Sequence, residues 1–531
     1  GQGHTVTINA TAGAADPGTE HSPYLNFINT VSEYGEVKNL RIVYNLTATS
    51  NVGHGNGVFS TVDGYVHNVE IEYNYGAHWI NGAMRILAGD GAGKFEDVVV
   101  AVSGLTQTTK ENTLVAAESA SSFTFANILV VGTGVTDSDA VPVGMPQGTN
   151  VVKTSAAEYT LSEFDDSSFK TDESGSLWTK TALGVPTFAS NRPAISETVE
   201  IDELADLTSN AGRTDVNFSL NTDLTITFDG SDLGAAVLPL LNGTFDGNGH
   251  TVTITATAGS ADNASAVNNP YMYFIEEVGV FAAVKNLQIV YDLTSLSNSN
   301  NGAMAFGTLN GLAEDIEAHL SYTAHWLEND FRFLANDGNG MFRNIVAYIG
   351  GSIPTDKATL RLAYDSVGME NVILITSLAS MQAPAGNNTV KAASFAEISG
   401  FDRTPFNAGG EDSAWSETAL GVLTLKGNSP AITETVVIDE LADLTNNASR
   451  TDVNFSLNTD LTITFDGDGS AVTLPLLNGT FDGNGHKITI NASNGGATPY
   501  NYLISEISAF GTLKNVRIEY NLTTAENSVG G

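Results

Sequence analysis

Cysteine is absent from this chain of 531 residues, which removes disulfides, zinc-thiolate centres and thiol nucleophiles in one step. A long secreted protein with a continuous core does without disulfides, so the absence does not place the chain in the cytoplasm. Cationic side chains are scarce: 22 Lys and Arg stand against 60 Asp and Glu, a formal charge of −38. Nucleic-acid binding requires phosphate-neutralising cations, and anionic lipid repels an acidic surface, so neither partner is expected. Solubility, a salty or calcium-rich exterior and diffuse cation binding all fit the charge. No run reaches the roughly 18 apolar residues of a membrane span, and no membrane insertion is expected in this segment. A signal peptide is also lacking, which leaves any targeting segment removed or outside this window. Proline is sparse at 14 residues and Gly is plentiful at 53, a composition that suits a turn-rich all-β chain.

What is present is repetition, at two scales. FDGNGHTVTI (residues 245–254) returns as FDGNGHKITI (481–490), and the chain opens on GQGHTVTI. Residues 197–230 return almost unchanged at 434–467, and VKNLRIVYNLT (37–47) matches VKNLQIVYDLT (284–294) and LKNVRIEYNLT (513–523). The chain thus carries a little over two copies of a unit of about 240 residues, and it begins and ends inside a unit. A solenoid end of that kind exposes strand edges, which leads to the expectation of a window on a longer array.

Within each unit a shorter period runs. Asn39, Asn68, Asp97 and Asn127 each precede an alternating apolar run, at spacings of 29, 29 and 30 residues. Asn286, Asp315, Asn344 and Asn371 repeat this at 29, 29 and 27. Positions one and three after the Asn or Asp are apolar in most runs (Leu40 and Ile42, Val69 and Ile71), with Arg41 or Glu70 between them. That is a strand with one buried face. A strand every 27–30 residues predicts one turn of a wide right-handed parallel β-helix, all-β in class, with the handedness taken from the rule for parallel crossovers. Stacked rungs place the Asn and Asp in one column at a turn, bonding to their own backbone and to the adjacent rung.

The expected division is rungs over residues 1–150, a junction with a short helix and entry strands over 151–246, rungs again over 247–390, a second junction over 391–482, and a third repeat from 483–531. IDELADLT (201–208 and 438–445) spaces its Ile and Leu for one or two helical turns. The junctions close on W-x₅-G-V-x-T-(F/L) at Trp178 and Trp415, whose rings are expected to bury against neighbouring rungs.

These residues resemble the β-helical regions of large bacterial and archaeal surface proteins, the GLUG-type and immunoglobulin-A-peptidase-like N-terminal repeats of adhesins. The likeness lies in the EL-A-L segment, FSLNTDL, GTFDGNGH-(T/K)-(V/I) and KN-(L/V), most specifically over residues 197–293 and 434–522. It implies a cell-surface or extracellular β-helix and no chemistry; no HExxH occurs, so the peptidase association does not carry over.

Candidate sites are few. Asp229, Asp232, Asp466 and Asp468 stand in Gly-rich turns and offer the ligand type Ca²⁺ takes, though without the spacing of a known calcium loop; solvated turns are the plainer reading. No other cofactor is expected. His4, His250 and His486 sit about 240 residues apart, too far to share a metal, and a structural role is expected. His78-Trp79 and His325-Trp326 recur; an exposed Trp would stack on sugar rings, but a core Trp is the expectation. Glu163 and Asp165 would share a face if their segment were a strand, yet Gly400 replaces Glu163 in the next unit. Asp202 and Glu203 recur as Asp439 and Glu440, adjacent on the expected short helix. No pair with acid/base spacing recurs, and the chain is not expected to be an enzyme. Candidate glycosylation sequons start at Asn45, Asn217, Asn242, Asn387, Asn454, Asn478, Asn491 and Asn521.

The expectation is a structural segment of a long extracellular fibre, sheath or giant adhesin: a stiff acidic rod at the cell surface, self-associating end to end or running on as one longer chain. A glycan- or surface-binding module is the alternative, and a polysaccharide-active β-helix enzyme ranks below it.

Overall fold

The computed structural model describes residues 1–13, 25–50, 55–77, 84–103, 113–114, 123–132, 147–171, 173–229, 234–259, 267–354, 358–466, 471–494 and 501–524. Its rungs share one local cause. Each long strand is interrupted by an Asn or Asp whose φ lies between 47° and 55° (Asn39, Asn68, Asp97, Asn127, Asn286, Asp315, Asn344, Asn371). Side chains alternate faces along a strand, so residues three apart normally point opposite ways. The left-handed kink resets that phase: Val66 and Val69, on either side of Asn68, are both fully buried, as are Ala313 and Ile316 around Asp315. Asn and Asp reach this conformation at lower cost than other side chains.

In the first stack, Thr5–Ala12, Glu36–Ala48, Tyr65–Ala77, Lys94–Ser103, Thr124–Gly132 and Thr149–Thr154 pair in that order, all parallel. Ile28–Val31, Phe59–Val62 and Ala88–Asp90 form a second face, and Gly55–Asn56, Met84–Arg85 and Thr113–Leu114 a third. The second stack follows the same plan through Glu197–Ile201, Val216–Leu220, Thr244–Asp246, Ala283–Ser299, Leu312–Leu327, Met341–Ser352, Gly368–Thr376 and Asn387–Ala392, again parallel. The protein is a parallel β-solenoid. Like residues stack on like along the core: Tyr44 on Tyr73 at 5.2 Å and Phe95 on Phe125 at 5.4 Å.

By contact the chain forms two units, residues 1–247 with 251–401, and residues 248–250 with 402–531. In the second unit, Glu434–Ile438, Val453–Leu457, Thr480–Asp482 and Thr512–Lys514 form one parallel sheet, and Leu461–Asp466, Lys487–Asn494 and Arg517–Thr524 another. The expected helical turns are Leu204–Asn210 and Leu441–Asn446, each opened by a capping box from Glu203 with Asp206 and from Glu440 with Asp443.

The first junction departs from a plain link between consecutive stacks. Asn150 donates to the Asp165 carbonyl (2.7 Å) at the last level of the first stack, and Ser190 donates to the Gly3 carbonyl (2.7 Å) at its first level. The segment therefore runs back down the side of the stack. Its apolar side chains, Tyr159, Phe169, Trp178 and Phe188, share a buried cluster with Val99, Leu129 and Val131 of the first stack and with Leu312 and Met341 of the second. The Ala182 amide also donates to the Val280 carbonyl (2.9 Å). Within this unit the two stacks lie side by side with the junction between them.

If the kink is what Asn supplies, Asn344 variants will separate backbone from side chain. Asn344 donates to Asp315 (3.1 Å) and accepts from Asn371 (3.0 Å). Asn344→Gly keeps the positive φ and loses both bonds, costing about 1–2 kcal/mol; Asn344→Ala also takes on left-handed strain, for about 2–4 kcal/mol in all. Hydrogen-exchange protection of Met341–Ser352 should fall in the order Asn, Gly, Ala, and equal losses for the two variants would contradict the argument.

Candidate functional site: two polar columns and a buried carboxylate

The eight Asn and Asp at positive φ stand one above another at one edge of each sheet. Asn127 Nδ2 donates to Asp97 Oδ1 (2.8 Å), Asn371 Nδ2 to Asn344 Oδ1 (3.0 Å), and Asn286 Nδ2 to Asp246 Oδ1 (3.0 Å). Asn150 and Asn388 extend the two columns at closer sequence spacing, with φ of 53° and 49° and bonds of 3.0 and 2.9 Å to Asn127 and Asn371. In the third repeat Asn515 bonds Asp482 at 3.0 Å.

A second column, missed in the sequence, runs on the outer face of the first stack. Ser103 Oγ donates to Asn74 Oδ1 (2.7 Å), Asn74 Nδ2 to Asn45 Oδ1 (2.9 Å), and Asn45 Nδ2 to Asn9 Oδ1 (2.8 Å). The signal was there: Asn45, Asn74 and Ser103 each follow a column residue by six positions. The sequons at Asn491 and Asn521 belong to the same pattern, bonded to each other at 3.0 Å. A glycan on Nδ2 at Asn45 or Asn521 would compete with these bonds. Asn217 and Asn454 accept the Thr244 and Thr480 amides at 2.8 Å, Asn242 and Asn478 donate to the Thr214 and Thr451 carbonyls at 3.4 and 3.3 Å, and Asn387 is exposed at the start of its strand.

The most unusual side chain is Glu70, buried on the outer face of the first stack where the junction covers it. Its carboxylate accepts the Phe188 amide (2.6 Å), the Thr187 hydroxyl (2.8 Å) and Asn191 Nδ2 (3.2 Å), and Arg41 Nε lies 3.8 Å away. Arg41 is held in turn by Glu72. Burial pushes the Glu70 carboxyl above the ordinary carboxylate range, against the opposing pull of the Phe188 amide and Arg41. Thr187 and Phe188 end the hairpin that pairs Trp178–Lys180 with Pro186–Phe188, whose Trp178 ring meets Phe169 edge-on at 4.7 Å. Both carboxylate oxygens accept from donors of the junction, so the group is placed to hold it. Glu317 occupies the equivalent position, also buried, with His319 Nε2 at 2.8 Å and the His319 ring stacked on Tyr348 at 4.6 Å. The recurrence of Glu70 as Glu317 was legible; that each would be buried was not, because Glu between apolar residues reads as a solvent-facing position.

The other candidates do not converge. Asp229 is exposed, Asp466 ends the strand Leu461–Asp466, and Asp232 and Asp468 lie outside the described residues, as do His78 and Trp79. Among the described residues no group of three His, Cys, Asp or Glu is placed to hold a metal ion. His4 is exposed, His250 half-buried, and His486 lies 3.3 Å from Asp460. Trp178 and Trp415 are buried, but Trp326, expected in the core, is 38% exposed. The alternation that buries Tyr322 and Ala324 would carry Trp326 inward, but it breaks after Ala324, where the pairing with the neighbouring strand shifts register: His325 and Trp326 are both exposed and Leu327 is buried, with His325 bonding Asn298 at 3.0 Å. Glu163 and Asp165 are not on a strand: the segment is irregular, and Asp165 caps a turn by accepting the Ser167 amide (3.0 Å). Asp202 and Glu203 precede the helix that they were expected to sit on; Asp202 accepts from Asn221 (2.9 Å).

Compared with models of known protein families, the chain matches none, and no curated protein matches it.

The Glu70 contact makes junction docking pH-dependent. A carboxyl whose folded pKa is raised favours the docked form most below its ordinary range, and that contribution is lost as pH rises through the raised value. Protection of the Phe188 amide, corrected for intrinsic exchange, should therefore decline on going from acid to neutral pH relative to Glu70→Gln, in which the slope disappears. Glu70→Ala orphans three donors and should lower junction protection at every pH, by about 3 kcal/mol or more. A wild-type profile parallel to that of Glu70→Gln would overturn the assignment.

Proposed function

We propose that the chain is a structural segment of a long extracellular or cell-surface array, a sheath, fibre or giant adhesin, assembled from solenoid repeats. The observation that carries this reading is the junction clamped between the first and second stacks. The first repeat brings the element that fastens the second stack beside it, and one such part, reused, would supply length. Side-by-side packing favours the sheath-like form over a single slender shaft. The charge of −38 keeps completed surfaces apart at low salt, and screening or divalent cations relax that repulsion. The resemblance to surface-protein repeats supports the extracellular placement, and the near-duplication of a whole unit suits a spacer better than a catalyst.

A second reading has one observation in its favour: Trp326 presents part of its ring to solvent next to His325 and Asn298, an arrangement suited to stacking on a sugar. Electron microscopy of native, undigested material separates the two. Long uniform fibres or sheets with a regular repeat are expected from the array. Dispersed particles of one chain each, together with saturable glycan binding that Trp326→Ala abolishes, would replace it with a binding module.

A further inference from the structure

The turn Gly-(Gln/Asn)-Gly-His occurs three times with one geometry. Gln2 and Gly3 have φ of 55° and 80°, Asn248 and Gly249 49° and 82°, Asn484 and Gly485 48° and 85°. The first and third are closed by the same bonds: His4 N to Gly1 O (3.0 Å), Gly3 N to Asn39 O (2.8 Å) and Arg41 N to His4 O (3.1 Å); His486 N to Gly483 O (2.7 Å), Gly485 N to Asn515 O (2.7 Å) and Arg517 N to His486 O (3.1 Å).

What covers the turns differs. At the first, the Ser190 hydroxyl bonds the Gly3 carbonyl at 2.7 Å, and a Cβ on Gly3 would lie 3.2 Å from the Leu177 side chain. At the second, Gly427, which aligns with Ser190, packs so closely that a Cβ on it would collide with the Gly249 carbonyl, both residues belonging to the second unit. At the third, a Cβ on Gly485 would meet nothing within 4 Å. Asn484, Gly485, Asn515, Val516 and Arg517 there line an open groove of about 660 Å³. The Arg41 side chain is 16% exposed and its counterpart Arg517 is 76% exposed, 3.9 Å from Glu519.

We propose that this groove is the seat of a further junction of the same type: the 3-10 turn that follows a Trp-headed hairpin, with a small residue at the Ser190 or Gly427 position to clear the Gly485 carbonyl. The adjoining strand points to the same occupant. Ile518, Tyr520 and Leu522 are 44%, 43% and 47% exposed, whereas Ile42, Tyr44 and Leu46 at the same places in the first repeat are 0%, 1% and 1% exposed beneath the next rung. A run of rungs of this repeat, ending in its junction, would bury the strand and then fill the groove, and Arg517 would gain the acidic neighbours that Arg41 has in Glu70 and Glu72. The proposal rests on the array reading only in supposing that one repeat receives the next.

The test extends the full chain after Gly531 with a copy of its own residues 56–196, which supply four rungs and a junction; a control extension stops at residue 154, before the junction. Arg517→Cys provides the only thiol, since the chain has no cysteine. Amide protection across Ile518–Leu522 is expected in both extended chains, while maleimide labelling of Arg517→Cys should slow by about tenfold or more only when the junction is present. Protected amides with equal labelling in the two extensions would overturn the proposal. If neither this extension nor one built from residues 303–433 protects the strand, the edge does not accept a rung of this repeat and the proposal fails as well. Fibre formation by native material is a separate readout, so the array reading and the seat stand or fall independently.

Discussion

Each rung built on a long strand has to turn a corner at one Asn or Asp and still keep register with the rungs above and below it. A corner at φ near +50° costs an ordinary residue about 1–2 kcal/mol, repeated at each level. Asn and Asp lower that cost, and stacking them adds a return, because an amide placed over a carbonyl oxygen at the strand spacing of about 4.8 Å is within reach of a bond. The pairs Asn127 with Asp97 and Asn371 with Asn344 show the side chains doing so. Asn serves an interior level better than Asp, since it both donates and accepts; Asp97 accepts from Asn127, and Asp315 from Asn344. The kink also resets the alternation of faces, which is why residues three apart around it are buried together.

With the corner and the inner face fixed, the outer face is free to vary, and the repeats use that freedom to fasten stacks to one another. On the first stack the outer face carries an Asn and Ser column on one row and Glu70 with Arg41 on another. A buried carboxylate is a weak source of stability, since desolvation offsets much of what its partners return. It is a strong source of specificity: three converging donors from Thr187, Phe188 and Asn191 fix the junction's position along the stack to a single level. The apolar cluster around Trp178 then supplies the bulk of the attraction.

The fold was legible because a solenoid writes its period into the chain. Spacings of 27–30 residues between Asn or Asp and the alternating run behind each contain the strand, its inward face and the stacking direction together. The lateral placement of the second stack was not legible. It depends on which outer-face residues the junction touches, and a Glu between apolar neighbours, as at Glu70, looks the same in sequence whether it faces water or a returning segment. Trp326 illustrates the converse. It shares the parity of the buried Tyr322 and Ala324, but a register shift before it moves the phase by one residue, and one residue of phase exchanges inside for outside. The carboxylates of the Gly-rich turns could be recognised as ligand types and no further, because coordination needs convergence in space.

Side-by-side packing of the two stacks in the first unit also changes what the acidic surface does. In an isolated solenoid the outer face of each sheet is exposed along its length, and parallel sheets are stable chiefly when both faces are covered. In the first unit the junction covers part of that face on the first stack while touching the second, so apolar residues that a lone solenoid would leave wet (Val99, Leu129, Val131) are buried. Charge then concentrates on the faces that remain. A net charge of −38 opposes random contact between such faces, whereas the contacts of the first junction are short-ranged and matched. Repulsion everywhere except at a matched contact would, in the proposed array, let a repetitive chain add the next unit at one place and not at others.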